Sequence, residues 1–100
     1  MRRRDRHDIA IAILRAAKLP IHKTHLMYRA RLSYAQLNKY LASMIISGLI
    51  ENRRTEGKKR DEVLYKTTEK GTIFVKNLEL AERLWKNDDR YNSETFPTIH

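Results

Sequence analysis

A mainly helical α+β fold is predicted by three observations. Apolar residues recur at helical spacing in four stretches. Two short extended runs, Leu49-Ile50-Glu51-Asn52 and Glu62-Val63-Leu64-Tyr65-Lys66, flank a charged turn and read as a hairpin. The chain has 100 residues and no break in composition, which allows one domain with a small core that oligomerisation would help to complete.

The chain starts with a basic arm, Arg2, Arg3 and Arg4, with Arg6 just beyond. Asp5 is placed to cap a helix with Asp8 one turn in. Ile9, Ala10, Ile13, Leu14, Ala16 and Ala17 give that helix a broad buried face to about Lys18. Ile11 lies off this face, which leaves it exposed, against a partner chain, or against the C-terminal helix. Pro20 ends the element, and Ile21 to Lys23 are expected to form a short first strand.

The stretch from Thr24 to Leu49 reads as two short helices joined tightly, and the second is the better marked. Ser33 is a good N-cap, Gln36 three residues on completes a capping box, and Gly48 suits the left-handed conformation just past a helix end. On a helical wheel Leu37, Tyr40, Leu41, Met44 and Ile45 share one face, and Ala35, Gln36, Lys39, Ala42 and Ser43 the other. A small, polar outer face lets a helix approach another surface closely, as a helix seated in the DNA major groove must. An ordinary amphipathic helix with a modest outer face fits the same pattern.

The hairpin connection, Arg53 to Asp61, carries five basic residues, Arg53, Arg54, Lys58, Lys59 and Arg60, with Gly57 for the turn and two acids. A charged loop is usually a solvated loop. The order helix, helix, glycine, strand, basic turn, strand favours a wing that touches DNA. After it, a Thr N-cap starts a helix from about Glu69 to Asn87, in which Gly71 would permit close packing despite costing about 1 kcal/mol relative to Ala. Such a helix is roughly 30 Å long, more than one small domain covers. Phe74, Leu78, Ala81 and Trp85, widened by Ile73, Leu80 and Leu84, form a stripe suited to pairing as a short coiled coil. Residues 88–100 read as a polar tail in which Phe96 could dock.

The net charge of +9 and the sequence pI near 10.1 imply polyanionic partners. Nucleic acid is the commonest; an acidic protein, an anionic membrane and a basic thermophile surface share the signature. The absence of Cys removes disulfides and thiolate metal sites. No apolar run reaches about 18 residues, and the basic start is not followed by a signal core. A cytoplasmic, nucleoid-associated protein without cofactor is expected. His7, His22, His25 and His100 lack metal-ligand spacing, so neither metal binding nor enzymatic activity is expected. Tyr40 belongs to the core pattern, and Tyr34 is placed either to touch a phosphate or to pack under the wing.

The phrases KTHLMYRARLSYAQLNKYLASMIISGLI and YKTTEKGTIF carry a resemblance that covers about Arg4 to Trp85. The landmarks Lys23-Thr24, Met27-Tyr28, Leu32-Ser33-Tyr34, Gly48-Leu49-Ile50 and Thr68-Glu69-Lys70-Gly71 occur in the order found in archaeal winged helix-turn-helix proteins. The chain resembles the Sulfolobus 10a chromatin proteins and related small regulators. That resemblance implies DNA-binding homodimers joined by antiparallel C-terminal helices. The wing here is longer and more basic, and the terminal helix shorter, than in that family.

The expected architecture is a winged helix-turn-helix with its arm over residues 1–68, a C-terminal dimerisation helix over 69–87 and a tail over 88–100. Gln36, Asn38, Lys39 and Ser43 are the expected groove-facing residues. Arg29, Arg31, Ser33 and Tyr34 are expected on phosphate, and Arg53, Arg54, Lys58, Lys59 and Arg60 on backbone or minor groove. Phe74, Leu78, Ala81, Leu84 and Trp85 are the expected dimer interface. The partners are double-stranded DNA and a second copy of the chain; an acidic protein and RNA are the competing partners.

Overall fold

The computed structural model describes residues 4–55 and 62–87. Helix α1, Arg6–Ala16, is closed at its start by a capping box: the Asp8 N–H donates to Asp5 Oδ1 at 2.8 Å, and the Asp5 N–H donates to Asp8 Oδ2 at 3.1 Å. Each satisfies an amide that has no partner within the helix. Ala17 is the C-cap, so the helix stops just short of Lys18. Ile9, Ala10, Ile13, Leu14 and Ala17 are buried and Ala16 is partly so. Ile11 faces the C-terminal helix across a groove lined also by Glu79, Glu82 and Arg83.

Strand β1 is Ile21–His22, and Lys23 opens α2, Lys23–Ala30. Lys23 was expected in the strand. Pairing of β1 with the third strand lasts only through Ile21↔Tyr65 and His22↔Leu64, after which His22 acts as the helix N-cap. Helix α2 ends on Arg31 at φ 56, with the Leu32 N–H on the Met27 carbonyl (3.1 Å) and the Arg31 N–H on that of Tyr28 (3.2 Å). The left-handed conformation costs a side-chain-bearing residue about 1 kcal/mol. Here it makes the tight turn between the two helices.

Helix α3, Tyr34–Ile46, has the capping box the sequence predicts: the Gln36 N–H donates to Ser33 Oγ at 3.1 Å, and the Ser33 N–H to Gln36 Oε1 at 3.2 Å. Gly48, at φ 80, closes it with a Schellman pattern, the Leu49 N–H reaching the Met44 carbonyl at 2.8 Å.

Strands β2, Ile50–Thr55, and β3, Glu62–Thr67, pair antiparallel, and the sheet order is β1-β3-β2. Arg53 and Arg54, expected in the hairpin tip, are strand residues opposite Leu64 and Val63. Both side chains are exposed, so their polarity opposes nothing in the backbone ladder that carries them. The rest of the tip, residues 56–61, lies outside the described residues with Lys58, Lys59 and Arg60. So do Arg2 and Arg3 of the arm and the whole 88–100 tail with Phe96.

Helix α4, Glu69–Asn87, has the expected extent. Thr68 Oγ1 caps it by accepting from the Gly71 N–H at 3.0 Å. A Cβ at Gly71 would collide with the Leu49 carbonyl and lie 2.7 Å from Thr67 Cγ2, so this position requires glycine for close approach. The core joins α1, α2, α3 and the sheet through Ile13, Leu14, Leu26, Leu37 and Ile50. Thr67 is buried and satisfied: its hydroxyl donates to the Leu14 carbonyl at 2.7 Å and its N–H to that of Ala17 at 2.8 Å. Phe74 and Val75 bring the first turns of α4 onto this core, and an Arg15–Glu79 ion pair joins α1 to α4 further along.

Candidate nucleic-acid interface

The outward face of α3 is the one the helical wheel selects. Ala35, Gln36, Lys39, Ala42 and Ser43 are exposed, Asn38 is half-buried at the flank, and Leu37, Leu41 and Met44 are buried below. Ile46 continues the line through Gln36, Lys39 and Ser43 and is 87% exposed. Its spacing from Ser43 was the signal that sequence reasoning passed over.

Gln36 is committed to the capping box, since its Oε1 receives both the N–H and the hydroxyl of Ser33. A bidentate contact to adenine needs the amide oxygen and the amide nitrogen together. Reading a base that way would require Gln36 to give up the cap, whereas its amide nitrogen is not used by the cap.

Cations gather around the start of α3. Arg29 and Arg31 are exposed on α2 and its terminal turn, and Arg4 Nη1 donates to the Arg31 carbonyl at 3.1 Å, bringing the start of the basic arm to the same turn. Lys23 was not among the expected site residues. Its ammonium lies 4.7 Å from the centroid of the Tyr34 ring and 3.4 Å from the Tyr34 hydroxyl oxygen. The nearby Asn38 side chain foremost, and then Lys23, lower the Tyr34 pKa from the ordinary 10.0. Tyr34 is 59% exposed, and its partner Lys23 lies on α2.

On the hairpin, Arg53 Nη2 lies 3.3 Å from Glu51 Oε1 in a solvated pair, and Arg54 is exposed beside it. On the other side of the sheet His22 and His25 stack edge to face at 6.0 Å, with His22 Nε2 3.7 Å from Glu62 Oε2. Among the described residues no three His, Asp or Glu side chains converge as a metal site, and no helix is long and apolar enough to cross a membrane.

Along α4 the expected stripe divides. Phe74 packs partly on its own domain and Leu78 is half-buried, whereas Ala81, Leu84 (56% exposed) and Trp85 (64% exposed) face solvent. The proximal turns are covered because β3 leads directly into them at Thr67 and Thr68.

A family model described as winged helix-turn-helix matches residues 3–86. No curated protein matches the chain. Among solved structures it is similar to Sso10a-2, a DNA-binding protein from Sulfolobus solfataricus, at 23% identity and a TM-score of 0.76, covering 97% of this chain and 98% of that one. It is also similar to a PadR family transcriptional regulator from Eggerthella lenta, at 16% identity and a TM-score of 0.73, covering 90% of this chain and 85% of the other. Wild-type ZitR of Lactococcus lactis in complex with DNA aligns at 19% identity and a TM-score of 0.58, over 92% of this chain and 64% of that one. At these identities the likeness carries the fold alone. With the family model spanning nearly all of the described residues, the chain belongs to the winged helix-turn-helix family.

Proposed function

We propose that this chain is a duplex DNA-binding protein, acting as a transcription regulator or a nucleoid-associated architectural protein. One observation carries the reading: the exposed face of α3 is small and polar, and near its start lie Lys23, Arg31 and Arg4 in a chain of net charge +9. A helix built this way can enter a major groove while its flanking cations meet phosphates. Sso10a-2 is called DNA-binding and ZitR has been solved on DNA, which supports the same reading. Lys39 and Ser43, with Gln36, face base edges and Asn38 lies at the flank. Arg29, Arg31, Ser33 and Tyr34 hold phosphates, and Arg53, Arg54, Lys58, Lys59 and Arg60 reach backbone or minor groove. Two copies pair through Leu78, Ala81, Leu84 and Trp85, with Phe74 at the root of the contact. This places two recognition helices on one assembly.

Salt-dependent retention on duplex DNA tests the proposal, because each phosphate contact releases counterions. Replacing Lys58, Lys59 and Arg60 with Ala should lower the salt slope by up to about three units. Selection from random duplexes then separates the two roles: a sharp motif marks a regulator and a flat result an architectural protein. Stronger retention by RNA or by an acidic protein in parallel assays would overturn the duplex reading.

A further inference from the structure

We propose that Lys23 and Tyr34 form a preorganised clamp for one DNA phosphate at the start of α3, in which Lys23 supplies charge and Tyr34 a hydroxyl donor. The clamp rests on the DNA-binding reading and adds to it a charged residue, Lys23, that sits on a different helix from the groove-facing face.

Three features carry it. First, Lys23 Nζ is held over the Tyr34 ring at 4.7 Å while also 3.4 Å from the hydroxyl oxygen, so a long, rotamer-rich side chain is already directed to the head of α3. Ordering it in advance removes part of the entropy that binding would otherwise cost. Second, the Tyr34 hydroxyl oxygen accepts from Lys23. With its oxygen engaged as acceptor, the hydroxyl retains its own hydrogen for an outside acceptor. Third, Tyr34 is the first residue of α3 and is exposed, so that hydrogen and the Lys23 ammonium meet solvent where the positive end of the helix dipole also lies. A singly charged, oxygen-rich group is the matching ligand. The Arg31 turn and Arg4 beside it continue the positive surface along which a phosphate backbone would run.

Binding of a mixed-sequence duplex to the full chain, measured across salt concentrations, tests the clamp. Tyr34→Phe should weaken binding about tenfold with little change in slope, because it removes a neutral donor to an anion. Lys23→Gln should weaken binding and lower the slope by about one unit. Lys23→Arg should recover the slope. Circular dichroism and melting of each variant report folding; where Lys23→Gln is destabilised, Tyr34→Phe decides alone, because it leaves the charge in place. If the native chain binds duplex and these variants bind it equally well with the same slope, the clamp is overturned while the DNA reading stands. If the native chain binds no duplex, both fall.

Discussion

The Thr68 hydroxyl donates a 2.5 Å hydrogen bond to the carbonyl oxygen of Gly48, which fastens the first turn of α4 to the turn that ends α3. Its neighbours extend the joint. The Thr68 N–H donates to the Leu49 carbonyl at 3.0 Å and Lys70 Nζ to that of Ser47 at 2.7 Å, so three successive carbonyls past α3 are satisfied from one short segment. Thr67 fastens the same segment to the end of α1. The orientation of the candidate recognition helix relative to the long C-terminal helix is therefore set by residues 67–71.

Thr68→Val should destabilise the fold by about 1 to 3 kcal/mol, because it removes the cap of α4 and strips a partner from a part-buried carbonyl. Thr68→Ser keeps both bonds and should stay near the native value. Urea denaturation measures the difference.

Gly71→Ala should destabilise by about 1 to 3 kcal/mol, although helix propensity alone would make it stabilising by about 1 kcal/mol. The obstacle is the Leu49 backbone carbonyl, which cannot swing aside as a flexible side chain would. A raised melting temperature would show that α4 can shift off the sheet.

Gln36→Ala separates capping from reading. Loss of the reciprocal cap should cost about 0.5 to 1 kcal/mol of stability. If the amide also faces a base, preference at one position should relax by about 1 to 3 kcal/mol, and Lys39→Ala should do the same at a neighbouring position without the stability loss. Uniform weakening across all duplexes would assign both residues to phosphate.

The exposed part of the α4 stripe should hold two copies together. Fully burying an aliphatic side chain is worth about 1.5 to 3 kcal/mol, which Leu84 forgoes in the isolated chain. Changing Leu84 and Trp85 together to polar residues should give a folded monomer with much weaker DNA binding, since two half-sites are no longer linked. Light scattering at micromolar concentration checks the native state first, and a monomer there removes the pairing.

Tyr34 gives binding a pH dependence with a definite sign. Its folded-state pKa lies below the ordinary 10.0, so as pH rises the hydroxyl ionises earlier than other tyrosines. The phenolate cannot donate to a phosphate and repels it. DNA affinity should fall as pH rises through that lowered value, and Tyr34→Phe should abolish this step. Folding runs the other way: a depressed folded pKa favours the native state above the unfolded value, and the benefit is lost as pH falls through the folded one. Tyrosine absorbance titration of the native chain and of Tyr34→Phe locates the step.

Where α1, α3 and α4 start and stop was determined largely by the sequence itself. The Asp5 cap of α1, the capping box of Ser33 with Gln36, the left-handed Gly48 and the buried and open faces of α3 were legible, because each depends on groups within a turn or two of one another; Gly71 was legible as a site of close packing, but its neighbour there, the Leu49 carbonyl, was not. Tertiary structure decided the rest. The length of the ladder made Arg53 and Arg54 strand residues, and the brevity of β1 moved Lys23 into α2. Packing then set Lys23 over Tyr34, Arg4 on the Arg31 carbonyl and Phe74 on the core. None of these pairings has a spacing that betrays it, since each joins elements brought together by sheet register and helix crossing and not by neighbourhood along the chain.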